Sequence, residues 1–290
     1  MKWWALAAVA LVPAAAFGQI TAVQCESCEQ WNVRQAPFRV FGNTYYVGTR
    51  ELSAVLIASD EGLILIDGAL PQSVPQIADH IRALGHDPRD IKFILNSHAH
   101  FDHAGGLAQL QRLSGAKVLA SPWSAEALRK GVPPADDPQH GVAAPAMEPV
   151  KEVEVLRDGQ TVRLGQLALT AHFTAGHTPG GTSWSWMSCE QARCLNLVYA
   201  DSLTAVSADD YRYTDHPDLL RRFRESFEKL EALPCDILLS AHPGFSGTLQ
   251  KLEAREQRGQ ADAFVDANSC RKYTATARTG LERRMAREGQ

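Results

Sequence analysis

Short apolar runs, separated by glycine, asparagine and aspartate, recur through the first hundred residues of the chain. Runs of this length with turn residues between them are typical of consecutive β-strands. We predict strands at Phe38–Val40, Thr44–Val47, Ala54–Ala58, Leu63–Asp67 and Lys92–Asn96. Between the last two, Ile77, Ile81 and Leu84 recur at helical spacing. They predict a helix from about Pro71 to Leu84, which Gly85 ends.

The rest of the chain repeats this order of strands followed by helices. Further strands are predicted at Val118–Ala120, Gln160–Leu164, Leu167–Phe173, Thr182–Ser188, Leu195–Tyr199 and Asp236–Ser240. Further helices are predicted at about Gly106–Leu113, from Ser121-Pro122 to Gly131, at Pro217–Leu233, and in a charged region from about residue 249. Residues 131–149, rich in proline and glycine, predict a long loop. Two runs of strands with helices after each predict an α+β fold, with two packed sheets and the helices outside.

Four side chains that can bind metals fall within six residues, in the motif His98-Ala99-His100-Phe101-Asp102-His103. In an extended segment alternate residues face the same way, so His98 and His100 can converge on one ion. Asp102 and His103 are consecutive and do not fit that geometry. If the strand ends near His100 and the chain then turns, they could serve a neighbouring ion. The motif therefore indicates two adjacent metal ions.

Two more histidines follow predicted strands. His177 lies in the glycine-rich segment AGHTPGG and His242 lies in SAHPG. Strand-end loops at one edge of a sheet pair can converge, so we expect these histidines to join the motif in one cleft. His140, in the long loop, could lie near it. For His80, at the end of the first predicted helix, we expect a solvated position or a capping contact.

Composition and charge restrict the class of protein. A chain of 290 residues with 45% apolar side chains suits one large domain or two ordinary ones and can bury a substantial core. A formal net charge of -4 argues against a nucleic-acid partner, which needs a basic surface.

The N-terminus has the pattern of a secretory signal peptide. Met1-Lys2 precedes an apolar stretch too short to span a membrane, and small residues follow up to Gly18. We predict a signal peptide over residues 1–18, a single mature domain over residues 19–290, export to the periplasm, and no stable membrane association after cleavage.

Six cysteines in an exported chain indicate disulfides. We predict the pairs Cys25–Cys28, Cys189–Cys194 and Cys235–Cys270. A hairpin turn would bring Cys189 and Cys194 within bridging range. The third pair, near opposite ends of a helical segment, could tie the C-terminal region down. The Cys-x-x-Cys of the first pair can also be redox-active or bind zinc, and a small loop disulfide is the interpretation that we prefer.

The motifs HAHFDH, AGHTPGG, YADSL and AHPG together resemble those of the metallo-β-lactamase superfamily, and more narrowly subclass B3. The resemblance extends from about residue 30 to the C-terminus. It implies an αβ/βα four-layer sandwich, with a dinuclear zinc site at one edge of the two sheets. One Zn²⁺ would take His98, His100 and His177, and the other would take Asp102, His103 and His242.

The same resemblance implies roles for other residues. The subclass lacks the zinc-binding cysteine of the commonest subclass, and here Ser202 occupies that place. Ser202 and Thr204 would lie near the substrate carboxylate or its bound water, and Gln139 could reach the cleft from the long loop. Asp67 resembles the buried aspartate that supports the metal ligands in the superfamily.

The resemblance implies hydrolysis of β-lactams by a monomeric enzyme. Two Zn²⁺ ions attract an anionic substrate and lower the pKa of bound water to about 7. A metal-bridging hydroxide would attack the lactam carbonyl of penicillins, cephalosporins or carbapenems while Asp102 orients it. The alternative is an exported lactonase or a glyoxalase II-like thioester hydrolase, in which Asp201 would bridge the metals. A zinc-binding protein without catalysis is less favoured, because structural zinc sites normally have four protein ligands.

Overall fold

The computed structural model describes residues 22–142 and 144–289 of the chain. The predicted signal peptide, residues 1–18, lies outside this part. The first run of elements comprises α1 Cys28–Trp31, β1 Phe38–Phe41, β2 Thr44–Tyr46, β3 Val55–Ser59, β4 Gly62–Ile66, α2 Val74–Ala83, β5 Ile91–Leu95, α3 Phe101–Ala104, α4 Leu107–Ser114, β6 Lys117–Ala120, α5 Pro122–Lys130 and β7 Val153–Val155. The second comprises β8 Thr161–Leu164, β9 Leu167–Phe173, β10 Thr182–Glu190, β11 Arg193–Ala200, α6 Pro217–Ala232, β12 Ile237–Ser240, α7 Thr248–Arg258 and α8 Ser269–Glu288.

The strands form two mixed sheets. The first has the order β1-β2-β3-β4-β5-β6-β7, antiparallel from β1 to β4 and parallel from β4 to β7. The second has the order β12-β11-β10-β9-β8, in which only the pair β11–β12 is parallel among the described strands. Both sheets are therefore built mainly from neighbours in sequence, with crossover helices where the strands run parallel.

Three buried apolar clusters separate four layers. Successive side chains of a strand point to opposite faces, so in β3 Leu56 packs toward α2, α4 and α5 while Val55 and Ile57 pack toward the second sheet. In β11 Leu197 faces the first sheet, whereas Val198 packs against α6 and α8. The layers run helices, sheet, sheet, helices, which confirms the predicted α+β sandwich.

The predicted elements agree with the structure except in the following places. Strand β7 and the short helices α1 and α3 were not predicted, and the last helical region is two helices, α7 and α8. Strand β5 ends at Leu95, within one residue of its predicted end at Asn96, so His98 and His100 lie in the loop that follows it, and helix α3 supplies the turn. Cys235 precedes β12 and Cys270 lies in the first turn of α8, so one helical segment does not join them.

The expectation for His80 is wrong. His80 is buried on the face of α2 that carries Ile77, three residues earlier, and its Nδ1 lies 2.9 Å from the carbonyl oxygen of Val47. Residues three apart share a helix face, so the apolar face that packs on the first sheet includes this histidine. Its buried position lowers the pKa of His80 below the usual histidine value.

All three predicted disulfides, Cys25–Cys28, Cys189–Cys194 and Cys235–Cys270, are present in the structure. The β10–β11 hairpin pairs Cys189 directly with Cys194, as the predicted turn requires. Of the helices in the described ranges, none combines the length and the apolar character that a membrane span requires.

Strand register places the functional loops side by side. Ile66, the last residue of β4, pairs with Leu95, the last residue of β5, so Asp67 lies beside the start of the histidine motif. Ala200 pairs with Ser240 at the ends of β11 and β12. The loops that follow these strands therefore open at one edge of the two sheets.

Candidate metal centre

The six predicted metal ligands come from three loops that follow strands. His98 and His100 lie between β5 and α3, and Asp102 and His103 lie within α3. His177 lies between β9 and β10, and His242 lies between β12 and α7. The first sheet thus supplies four of these side chains and the second sheet supplies two, and the fold brings all six together in two adjacent groups.

The first group consists of His98, His100 and His177, whose ligand atoms lie within 4.8 Å of one another. The Nε2 atom of His98 is buried and has no hydrogen-bond partner among the described residues. The side-chain amide nitrogen of Gln139 stands 3.5 Å from His100 Nδ1 and 3.3 Å from His177 Nε2. Three imidazole lone pairs therefore converge on a point where a positive charge fits.

An oxygen atom holds the outward nitrogen of each histidine in this first group. His98 Nδ1 donates to Asp201 Oδ1 at 2.7 Å, and His177 Nδ1 donates to the Thr204 carbonyl at 3.0 Å. His100 Nε2 donates to Asp137 Oδ2 at 3.0 Å. Such contacts fix the tautomer and turn the other nitrogen inward, as is usual for histidines that bind metals.

The second group consists of Asp102, His103 and His242. His103 Nε2 lies 3.2 Å from both Asp102 Oδ2 and His242 Nε2, and His242 Nε2 lies 3.4 Å from Asp102 Oδ2. His242 Nδ1 donates to the carbonyl of Glu51 at 3.1 Å. The rings of His98 and His103 are 4.4 Å apart between centroids, so the two groups are neighbours.

The charge states of His98, His177 and Asp102 suit metal binding. Burial lowers the pKa of His98 well below the usual histidine value, and the neighbouring imidazoles lower it further. Burial also lowers the pKa of His177, to about 3. Burial opposes charge on Asp102, but His103 and His242 outweigh this effect and hold the pKa of Asp102 well below its ordinary range. Neutral imidazoles and an ionised carboxylate are the forms that bind metals.

A buried network holds the histidine motif against both sheets. Asp67, which has a φ of 59°, accepts hydrogen bonds from the Ser97 backbone N–H at 2.8 Å and from Ser97 Oγ at 2.6 Å. Tyr199 of β11 donates to the same carboxylate at 2.8 Å. The Thr182 N–H of β10 donates to the Ser97 carbonyl at 2.8 Å. The residue beside His98 is thus fixed from both sides, as the resemblance implies for Asp67.

Asp201 stands behind His98 and faces away from the cleft. It is fully buried, and Gly181 leaves room for it, because a Cβ at that position would lie 2.2 Å from Asp201 Oδ2. Its other oxygen accepts the His98 hydrogen bond. A carboxylate in this place holds His98 and is not directed into the space between the two groups.

Two residues of each group, His100 and His177 of the first and Asp102 and His242 of the second, line a cleft of about 550 Å³. Ser202, Thr204 and Gln139 line this cleft, as expected, and Trp31 and Phe101 form part of its wall. Within the described part of the chain, the buried hydroxyl of Ser202 has no hydrogen-bond partner. Such a volume suits a small organic molecule. His140, which the sequence left open, is exposed and is not among the residues that line the cleft, although its neighbour Gln139 is.

Sequence reasoning missed Asp137, which is buried and has two roles. One oxygen holds His100, and Oδ1 also accepts the backbone N–H of Gln139 at 2.7 Å. Asp137 follows another aspartate in a polar, proline-rich loop. That context is typical of exposed acidic residues, so no local signal distinguished it from Asp136.

Comparison with known proteins agrees with this geometry. Residues 47–195 match the family model described as the metallo-beta-lactamase superfamily. The chain belongs to the metallo-beta-lactamase superfamily. The match covers half of the chain and includes the histidine motif and His177, but not His242.

Solved structures of this superfamily are similar over nearly the whole chain. The Rm3 metallo-beta-lactamase is 53% identical with a TM-score of 0.89, over 92% of this chain and 100% of that one. MEM-A1, a subclass B3 metallo-beta-lactamase from a soil metagenome library, is 49% identical with a TM-score of 0.86, over 89% of this chain and 98% of that one. These neighbours confirm the predicted resemblance to subclass B3.

Curated relatives are more distant. A hydroxyacylglutathione hydrolase from Anaeromyxobacter dehalogenans (strain 2CP-C) is 30% identical over 189 residues, or 65% of this chain. The chain spans 59% of the length of this hydrolase, and the same share of a second curated relative.

Proposed function

We propose that this protein is a zinc-dependent hydrolase that opens the amide bond of β-lactam antibiotics. Two adjacent three-ligand groups at one cleft carry this proposal. Three protein ligands per ion leave coordination positions open, which is characteristic of catalytic and not of structural zinc. The likeness to Rm3 and MEM-A1 supports β-lactams as the substrate class.

The donor set fits two Zn²⁺ ions per subunit. His98, His100 and His177 would hold one, and Asp102, His103 and His242 would hold the other. Imidazole nitrogens with a single carboxylate are usual zinc ligands. Zinc, when bound, supplies hydroxide at neutral pH and polarises a carbonyl oxygen.

The protein's own side chains position the reactants. The ionised carboxylate of Asp102 can orient the attacking oxygen by accepting its hydrogen bond, which makes Asp102 the catalytic residue of the proposal. The hydroxyl of Ser202, with Thr204 beside His177, is placed to donate hydrogen bonds to the substrate carboxylate. The amide of Gln139, held by Asp137, can donate to an oxygen of a substrate in the cleft.

The alternative is hydrolysis of a lactone or a glutathione thioester. Curated relatives include a hydroxyacylglutathione hydrolase and an N-acyl homoserine lactonase, each about 30% identical over part of the chain. The position of Asp201 argues against this alternative, because that carboxylate is directed at His98 and away from the space between the two groups.

Hydrolysis of a carbapenem by the purified protein tests the proposal. We expect turnover that a chelator abolishes and added zinc restores. His177→Ala should lose most activity because the first group loses a ligand, while His140→Ala, at an exposed histidine outside the cleft, should keep it. Absence of carbapenem turnover with zinc restored, together with hydrolysis of a lactone or a glutathione thioester, would establish the alternative.

We also propose that the protein acts in the periplasm as a monomer after signal-peptide cleavage, without a nucleic-acid or membrane partner. Three disulfides support an oxidising compartment. Cell fractionation and light scattering test the location and the monomeric state.

A further inference from the structure

The cleft has one wall that the proposed chemistry does not use. Cys25, Glu26 and Ser27 line it, and the disulfide Cys25–Cys28 closes these residues into a small ring. We name residues 25–28 the N-terminal loop. It lies on the side of the second ligand group, because Trp31, three residues further on, contacts both His242 and Phe101 at 5.8 and 6.1 Å between ring centroids.

The N-terminal loop is fixed on both sides. Before it, the Val23 N–H donates to Gln72 Oε1 at 3.1 Å, and Gln72 Nε2 donates to the Val23 carbonyl at 2.9 Å. Cys28 is buried in the apolar cluster beneath the first sheet. After the loop, Thr49 Oγ1 donates to the Trp31 carbonyl at 2.6 Å. The loop therefore holds Glu26 in place at the mouth of the cleft.

Glu26 differs from the other acidic residues of the cleft. Asp102 belongs to the second ligand group and Asp137 is bonded to His100, and both are buried. Glu26 is exposed. Among the described residues that line the cleft, none is lysine or arginine. Glu26 therefore brings an exposed carboxylate to the lining of the cleft without a basic residue beside it there.

We propose that Glu26 determines specificity by favouring β-lactams whose side chain carries a cationic nitrogen. This inference rests on the proposed function. The ring carboxylate of the substrate is anionic and would be held by the metals with Ser202 and Thr204, and Thr204 contacts the first ligand group through His177. A cationic substituent directed at the N-terminal loop would meet Glu26. Because Glu26 is exposed, water and salt screen the attraction, and its effect is roughly two- to fivefold.

Benzylpenicillin and ampicillin provide a matched pair of substrates, because they differ only in the α-amino group of the acyl side chain. The quantity to measure is the ratio of kcat/KM for ampicillin to kcat/KM for benzylpenicillin in the zinc-loaded enzyme. We expect Glu26→Gln to lower this ratio about two- to fivefold. The lower ratio should come mainly from a higher KM for ampicillin, and the difference from the wild type should diminish in high salt. Glu26→Lys should lower it further by repelling the amine.

Glu29→Gln is the matched control, since Glu29 is also exposed and lies three residues from Glu26 but does not line the cleft. It should leave the ratio unchanged. An unchanged ratio in Glu26→Lys, or an equal change in Glu29→Gln, would overturn the inference. Failure of the proposed function would look different, because neither penicillin would then be hydrolysed by the unsubstituted protein.

A double variant, Cys25→Ser with Cys28→Ser, tests the contribution of the disulfide. We expect it to hydrolyse benzylpenicillin and to show the lowered ratio of Glu26→Gln, because the opened loop no longer holds the carboxylate at the cleft. Circular dichroism establishes that the double variant is folded. A folded double variant with the wild-type ratio would contradict the role given to the closed loop.

Discussion

At the scale of single residues, the orientation of each histidine in the first ligand group depends on the hydrogen-bond acceptor of the ring nitrogen that faces away from the group. His100 turns Nδ1 toward the group because Asp137 accepts the hydrogen bond from Nε2. The loop that carries Asp137 also carries Gln139, so one buried carboxylate positions both a proposed metal ligand and a proposed substrate contact. Loss of its charge should therefore affect metal binding before it affects the fold.

We expect Asp137→Asn to weaken zinc binding by about tenfold or more, as is common when such a supporting partner is changed. Competition with a chromophoric chelator measures the affinity. Asp136→Asn is the control, because Asp136 is exposed and, among the residues that the structure describes, its side chain accepts from Trp123 Nε1 alone. Equal affinities in the two variants would show that the Asp137 contact does not support the ligand.

His80 gives a pH dependence that is separate from the metal centre. Burial lowers its pKa, whereas in the unfolded chain a histidine titrates near pH 6.5. Below that pH the unfolded state binds a proton that the folded state does not, so this group lowers the free energy of unfolding as the pH falls. For this single group, the free energy of unfolding can change by at most about 1.4 kcal/mol per pH unit.

His80→Gln should therefore lose less stability than the wild type between pH 7 and pH 5. Urea unfolding of both proteins with a chelator present measures this difference without a contribution from metal release. Parallel pH profiles would mean that the buried imidazole accepts a proton in the folded protein.

At the scale of elements, the disulfides constrain loops of very different length. Cys235–Cys270 joins residues 35 apart and fastens α8 beside β12, whereas Cys189–Cys194 joins residues 5 apart within one hairpin. Closing a longer loop removes more entropy from the unfolded chain.

Replacing Cys235 and Cys270 by serine should cost about 4 kcal/mol of unfolding free energy, while the same change at Cys189 and Cys194 should cost about 2 kcal/mol. Denaturant unfolding measures both values. The reverse order would mean that local strain, and not loop length, decides the effect.

Elements with a strong internal pattern could be predicted from the sequence, and those that depend on neighbours could not. The alternation in Leu167–Phe173 predicts β9 with its observed bounds. Strand β7 has three residues, two of them exposed, and it forms because β6 offers a parallel edge. Helix α3 has four residues, and its sequence carries two of the proposed metal ligands, Asp102 and His103, and no extended apolar face.

The candidate site shows the same division. The spacing of the histidine motif and the strand-end positions of His177 and His242 predicted two adjacent metal ions in one cleft, and the resemblance to subclass B3 implied which histidine joins which group. The residues that hold them were harder to find, because Asp137 has the sequence context of an exposed acidic residue, and Thr204 and Glu51 act through their backbone carbonyls. The sequence analysis singled out Asp201 but left open whether its carboxylate points into the cleft. That direction depends on where β11 ends and on the space that Gly181 leaves beside it.

At the scale of the whole molecule, each ligand group takes side chains from both sheets. Bound zinc should therefore stabilise the entire fold, by about 2.7 kcal/mol for each site at a free zinc concentration of 100 times Kd. His242→Ala should lose about half of this stabilisation, since it leaves the first group complete. Thermal melting with zinc or with a chelator measures both effects. Loss of the entire zinc effect in His242→Ala would show that the two sites do not fill independently.

The junction between Ser97 and Thr182 has a consequence for how the sequence can change over evolution. It joins the histidine motif of one sheet to a strand of the other, across the central apolar layer. A substitution in that layer that moves one sheet slightly changes the distances between His177 and its partners, even where the fold tolerates the new side chain. Selection for metal affinity would therefore restrict the central layer more tightly than selection for stability alone, and the outer layers would be freer to vary.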